Sequence, residues 1–306
     1  MWNMEEKKIQ GFEQAVRVLP LRLRQAAVAL PADQRARVEE LRLRWGRPMA
    51  AVLPEGERPL GGEPVTGQEL EQLLELASRA SFHTVADQLR RGYLTVEGGH
   101  RVGLCGTAVV RDGELRGLRR LSSAAVRVAR QAVGAARPVS DRLLRREGTL
   151  YSTLILAPPG AGKTTLLRDL IRAASDGEGM TPNRVGVADE RGEVAALWNG
   201  RPQLEVGART DVLEGCPKAL ALMLLLRAMN PQVLAADEIT APEDVRALIS
   251  AAGCGAALLA TAHGWDRRDL EERPLYRELM AAGVFRRLVL IRREGDRRRY
   301  EVEELP

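Results

Sequence analysis

Lysine is nearly missing from this 306-residue chain. Only Lys7, Lys8, Lys163 and Lys218 occur, so arginine supplies almost all of the 46 basic residues. A guanidinium cannot stand in for a compact ammonium among phosphates, which singles out a lysine kept at a phosphate-binding position. Cysteine is as sparse. Cys105, Cys216 and Cys254 lie scattered without CxxC spacing, which argues against a zinc site or a disulfide framework and leaves them as buried small apolar residues. Aromatics make up 4% of the chain, few platforms on which bases could stack. No apolar run approaches the roughly 20 residues a membrane span requires; the best, residues 219–226, is cut by Arg227. Glu5, Glu6, Lys7 and Lys8 occupy the place where a signal peptide would be apolar. The expectation is a cytoplasmic protein. Its formal charge of +5 permits an acidic partner without demanding one.

With 45% apolar and 28% charged residues, a chain of this length can bury two cores. The first, residues 1–136, reads as an α+β domain. Apolar residues at near-helical spacing between Pro20 and Pro31 fit short helices, and Leu41, Leu43 and Trp45 alternate with Arg42 and Arg44 as on a half-buried strand. Thr66 suits the N-cap of a helix carrying Leu70, Leu73, Leu74 and Ala77 on one face. A second helix is expected over residues 82–91, then strands turning at Gly98-Gly99 and Asp112-Gly113, and one more over residues 122–129. His83 and His100 lack partners at metal spacing and read as structural or solvent-exposed rather than as ligands.

The second domain, residues 137–306, carries the chemistry. LILAPPGAGKTT at residues 154–165 is an apolar strand, a turn of small residues and the start of a helix. Such a loop turns unpaired backbone N–H groups toward a polyphosphate. Pro158, Pro159, Gly160, Ala161, Gly162, Lys163, Thr164 and Thr165 form this P-loop. Lys163 is placed to reach the outer phosphates of ATP and the Thr164 hydroxyl to ligate magnesium, while Gly160 and Gly162 leave the phosphates room. Ala157 stands where the pattern has its first glycine.

Three further strand ends follow. Residues 184–189 read as a buried strand delivering Asp189, Glu190, Arg191 and Glu193, candidates for the metal or the attacking water. A helix over residues 216–229, apolar nearly all round, reads as buried, and QVLAADE then ends in Asp237, for the magnesium shell, and Glu238, for the proton of the attacking water. A third strand ends at His263, placed to sense the γ-phosphate or orient water. P-loop motors commonly take an arginine from a neighbouring subunit; Arg191, Arg209 and Arg227 are the candidates expected near the ligand edge, against the alternative of pairing with nearby carboxylates. The chain closes in a hairpin rich in arginine between Arg286 and Arg299, which suggests nucleic acid but has little besides Tyr300 to stack a base.

Together RLRWGRP, LRRGYLTVEGGHRVGLCG, LAPPGAGKTTLLRDLIR, VADERGE, LRAMNPQVLAADEIT and LLATAHG resemble the stage III sporulation protein AA family of endospore-forming bacteria. That family is similar to the type II/IV secretion ATPases, RecA-like motors with an N-terminal domain. The resemblance implies an α/β fold in which a RecA-like P-loop domain follows a smaller α+β domain. It gives Lys163 and Thr164 to phosphate and magnesium, Asp189, Glu190 and Glu193 to an acidic box, Asp237 and Glu238 to Walker B, and His263 to a histidine box. Secretion ATPases commonly carry glycine where Asp237 stands. The resemblance also implies a ring of subunits, taken as a hexamer, that hydrolyses ATP with magnesium and docks from the cytoplasm on a membrane-embedded sporulation channel complex, on the mother-cell side of the forespore membrane. An ATP-dependent single-strand nucleic-acid-binding protein and a slow nucleotide-gated scaffold are the alternatives.

Overall fold

A computed structural model describes residues 4–78, 92–294 and 297–306. The chain divides into two compact units, residues 1–130 with 196–203, and residues 131–195 with 204–306. The passage between them falls before the boundary expected at 136, because the Ala136 N–H donates to the buried Asp169 carboxylate at 2.7 Å and joins residues 131–136 to the second unit.

In the first unit the helices are α1 (Met4–Ala15), α2 (Leu21–Val28), α3 (Ala32–Arg35) and α4 (Gly67–Ser78). Its strands are β1 (Glu40–Arg44), β2 (Pro48–Leu53), β3 (Gly56–Pro64), β4 (Tyr93–Val96), β5 (His100–Arg111) and β6 (Glu114–Arg127). They form one antiparallel sheet of order β3-β2-β1-β6-β5-β4. Leu41, Leu43, Val102 and Val126 bury their side chains with Phe12, Leu70 and Leu73 from the helices, each fully buried side chain contributing roughly 1.5–3 kcal/mol. Thr66 caps α4 reciprocally: its hydroxyl accepts from the Glu69 N–H, and the Glu69 carboxylate accepts from the Thr66 N–H. At Asp112-Gly113 both φ angles are positive, 55° and 76°, as a two-residue hairpin between β5 and β6 requires. Trp45 departs from its expected place. It lies past the end of β1, 60% exposed, with its ring against Gly67. The helix expected over residues 82–91 falls outside the described residues.

The second unit holds β7 (Thr153–Ala157), α5 (Lys163–Asp176), β8 (Val185–Asp189), β9 (Thr210–Glu214), α6 (Lys218–Met229), β10 (Val233–Ala236), α7 (Pro242–Gly253), β11 (Ala257–His263), α8 (Arg267–Glu272), α9 (Pro274–Ala281), β12 (Arg287–Glu294) and β13 (Arg297–Glu304). The sheet order is β13-β12-β7-β11-β10-β8-β9. All neighbours run parallel except the last hairpin, β12 with β13. β7, β8 and β10 are buried at every residue, as strands covered on both faces must be. Because these strands are parallel, Ala157, Asp189, Asp237 and His263 come to one edge of the sheet.

Two expectations fail here. Helix α6 is not buried all round: Leu220, Leu224 and Met229 are 53%, 44% and 41% exposed, while Ala221, Leu222 and Leu225 face the core. The cysteines are not core residues either. Cys105 and Cys254 are exposed and Cys216 half-buried, because Cys105 sits on the open face of β5 and Cys254 at the end of α7.

Candidate nucleotide site

The loop between β7 and α5 turns through two left-handed glycines, Gly160 at φ +74° and Gly162 at φ +104°. No such angle occurs at Ala157; it is the last residue of β7, paired with His263 across the sheet, so an alanine serves there as well as a glycine. The two glycines differ in their surroundings. A Cβ at Gly160 would meet nothing within 4 Å, whereas one at Gly162 would lie 2.8 Å from the Arg298 guanidinium. The room at Gly162 therefore accommodates an arginine of this chain, which the motif alone did not indicate.

Lys163 opens α5 with its side chain buried. Its ammonium donates to the carbonyls of Ala157 and Pro158 at 2.9 and 3.1 Å and lies 2.9 Å from His263 Nδ1. Burial holds its pKa below the ordinary lysine value, against the opposing pull of Asp237 and Glu238. An ammonium has only protons to give, so His263 Nδ1 accepts and its proton sits on Nε2. That nitrogen lies 2.6 Å from Glu238 Oε1. The other Glu238 oxygen accepts from Arg191 at 2.6 Å. A directed chain thus runs from Lys163 through His263 to Glu238, closed from the far side by Arg191.

Glu238 has φ +58°, a conformation unfavourable to a residue with a side chain. Its N–H donates to Thr261 Oγ1 at 2.7 Å, and Thr261 in turn donates to Asp237 at 2.6 Å. The Thr164 hydroxyl donates to the other Asp237 oxygen at 2.6 Å. Burial pushes the Asp237 carboxyl up, while the two threonine hydroxyls pull it down and Glu193 and Asp189 push it further up.

The acidic loop divides its labour. Asp189 is buried and accepts the N–H groups of Glu193, Val194 and Ala195 at 2.8, 3.0 and 2.9 Å, so its carboxylate shapes the loop. Glu190 takes an ion pair from buried Lys218 at 2.5 Å, and Lys218 also lies 3.6 Å from Asp244. The lysine of α6 was not singled out by the sequence, although its rarity was a usable signal. Glu193 remains near enough to Asp237 to perturb it. Of the three candidate arginines only Arg191 reaches this edge. Arg209 precedes β9 and bonds to Ser175 at the far end of α5, and Arg227 lies in the last turn of α6, ahead of β10. Both stand at the opposite edge, because a parallel strand begins where its partner begins.

These residues fit magnesium and a nucleotide. Magnesium takes one or two carboxylates together with substrate phosphates rather than an all-protein cage. Thr164 and Asp237 offer such a pair, beside a loop of left-handed glycines and the N-terminus of α5, whose first N–H groups have no partner within the helix. Among the described residues, no cluster of three or more His, Cys, Asp or Glu could hold a metal ion.

A parallel sheet with a P-loop after one strand, an Asp-Glu pair after another and a histidine at the end of the strand between them is the RecA-like fold of P-loop ATPases. Solved structures share it, two of them as follows. The pilus retraction motor PilT with bound ADP superposes with a TM-score of 0.61 at 16% identity, covering 88% of this chain and 80% of that one. The ATPase DotB of Yersinia pseudotuberculosis gives 0.59 at 13%, covering 94% and 80%. The chain belongs to the family described as sporulation stage III, protein AA, whose model matches residues 7–302. Stage III sporulation protein AA of Bacillus subtilis (strain 168) is 39% identical over 286 residues, 91% of this chain and 90% of that protein.

Proposed function

We propose that this chain is a magnesium-dependent ATP hydrolase of spore formation, a motor that closes into a ring, a hexamer on our reading, and energises a channel-type complex at a membrane. The observation that carries the reading is the convergence of Lys163, Thr164, Asp237, Glu238 and His263 on one sheet edge through contacts of 2.6–2.9 Å. Thr164 and Asp237 would hold the magnesium, which neutralises charge on the transferred phosphoryl group. Lys163 exchanges one of its present acceptors for a phosphate oxygen. Glu238 takes the proton of the attacking water, and the Nε2 proton of His263 fixes the orientation of that carboxylate. Family membership supports the sporulation role, and the likeness to a pilus motor supports a mechanical one. No helix among the described residues is long and apolar enough to cross a membrane; on the family membership we place the chain as a peripheral component docked from the cytoplasm.

Calorimetric titration of Mg-ATP into the full chain tests the nucleotide site. The wild type is expected to bind, and Lys163→Ala to lose tight binding while keeping its melting temperature. Equal affinities in the two proteins would remove the P-loop assignment. Light scattering with and without Mg-ATP tests the ring, which a monomer at every concentration would refute.

A further inference from the structure

The arginine-rich hairpin at the end of the chain has a place in this site that the motifs did not assign. β12 pairs in parallel with β7, from Arg287 opposite Thr153 to Leu290 opposite Leu156. β7 ends at Ala157, so the part of the hairpin where Arg293 faces Arg298 projects past the carboxyl end of β7, on the P-loop side. There Arg298 Nε donates to the Ala161 carbonyl at 2.9 Å. Its Nη2 lies 3.2 Å from the position a Cβ would take at Gly162. Arg292 and Arg299 of the same hairpin pair with Glu301, whereas no carboxylate among the described residues pairs with Arg298. Among the described residues its one hydrogen bond is to the loop.

We infer that Arg298 is a positioning residue of the nucleotide site, resting on the reading of that site given above. Seated on the outward carbonyl of Ala161, the guanidinium holds the loop in the turn that points its N–H groups inward. It also adds positive charge beside the polyphosphate. Both effects act on a bound diphosphate as well as on a triphosphate, and neither touches the water or the Glu238 base. Arg298 therefore governs nucleotide affinity and leaves the chemical step alone. The same contact makes Gly162 necessary twice, for its left-handed backbone and for the space the arginine fills.

The test is titration of Mg-ADP and Mg-ATP into full-length wild type, Arg298→Ala and Arg298→Lys, with steady-state hydrolysis and melting temperature on each. Removing a charged donor from a backbone acceptor is expected to weaken both nucleotides by about tenfold in Arg298→Ala. Lysine keeps the point charge and loses the planar fork, so Arg298→Lys falls between the two, and KM rises in parallel while kcat stays within about twofold. A wild type that binds neither nucleotide would remove the site reading and this inference with it. A wild type that binds both, with Arg298→Ala binding as tightly, would overturn the role of Arg298 alone. So would a fall in melting temperature with unchanged affinity, the mark of a brace for the hairpin.

Discussion

With Glu238 as the proposed base, replacing it by glutamine is expected to separate catalysis from folding, because the two costs lie far apart. Glutamine is isosteric and keeps one oxygen for the His263 Nε2–H, now 2.6 Å from Glu238 Oε1. Its amide would then face Arg191, whose side chain is 58% exposed and can turn away into water. An ion pair this exposed contributes about 0–1 kcal/mol, which in a protein of this size lowers the melting temperature by no more than about 4 °C. The positive φ at Glu238 burdens both residues alike. Loss of a general base, by contrast, costs about 10²–10⁴ in rate, or roughly 2.7–5.4 kcal/mol of transition-state stabilisation. Glu238→Gln is thus expected to bind Mg-ATP with wild-type affinity and to turn it over at least about a hundredfold more slowly. Calorimetry, phosphate release and thermal melting on the same preparation measure the three quantities. Turnover within tenfold of wild type, with normal binding, would refute the reasoning and move the base to Glu193 or Glu190.

Arg191→Ala is expected to change turnover by less than about fivefold, since it removes one exposed pairing of Glu238; a loss of about 10³ that recovers on mixing with Lys163→Ala subunits would instead make Arg191 a donor to the neighbouring subunit. His100 predicts an acid transition in the first unit. It is 1% exposed, its Nδ1 accepts the Ala129 N–H, and its Nε2 has no partner among the described residues; burial pushes its pKa down to about 4 from an ordinary 6.5. The unfolded chain therefore takes up this proton first: stability is complete above about pH 6.5 and falls as the pH drops toward 4, by about 3 kcal/mol in all. Urea denaturation between pH 7 and 4 is expected to show this slope in the wild type and less of it in His100→Asn, and equal slopes would refute it.

Much of this protein is legible in its sequence. The P-loop, the Thr66 cap, the Asp112-Gly113 turn and the strands ending at Asp189, Asp237 and His263 are short-range patterns, set by backbone sterics, hydrogen-bond valence and apolar periodicity within a dozen residues. Misreadings arose where partners are distant in sequence. Periodicity marked α6 as apolar all round but could not say that Leu220 and Leu224 stay half exposed. Trp45 continued an alternation that the sheet ends one residue earlier. Arg209 and Arg227 lie close in sequence to site segments, yet strand direction carries them to the opposite edge. Arg298 looked like one charge in a basic run until the pairing of β12 with β7 set it on the Ala161 carbonyl. The sequence alone determined which residues could bind a nucleotide, because that chemistry needs particular side chains at fixed short spacings. Only the tertiary structure decided which of them meet, because strand order and direction join positions as far apart as Lys163 and His263, and neither is written in any local pattern.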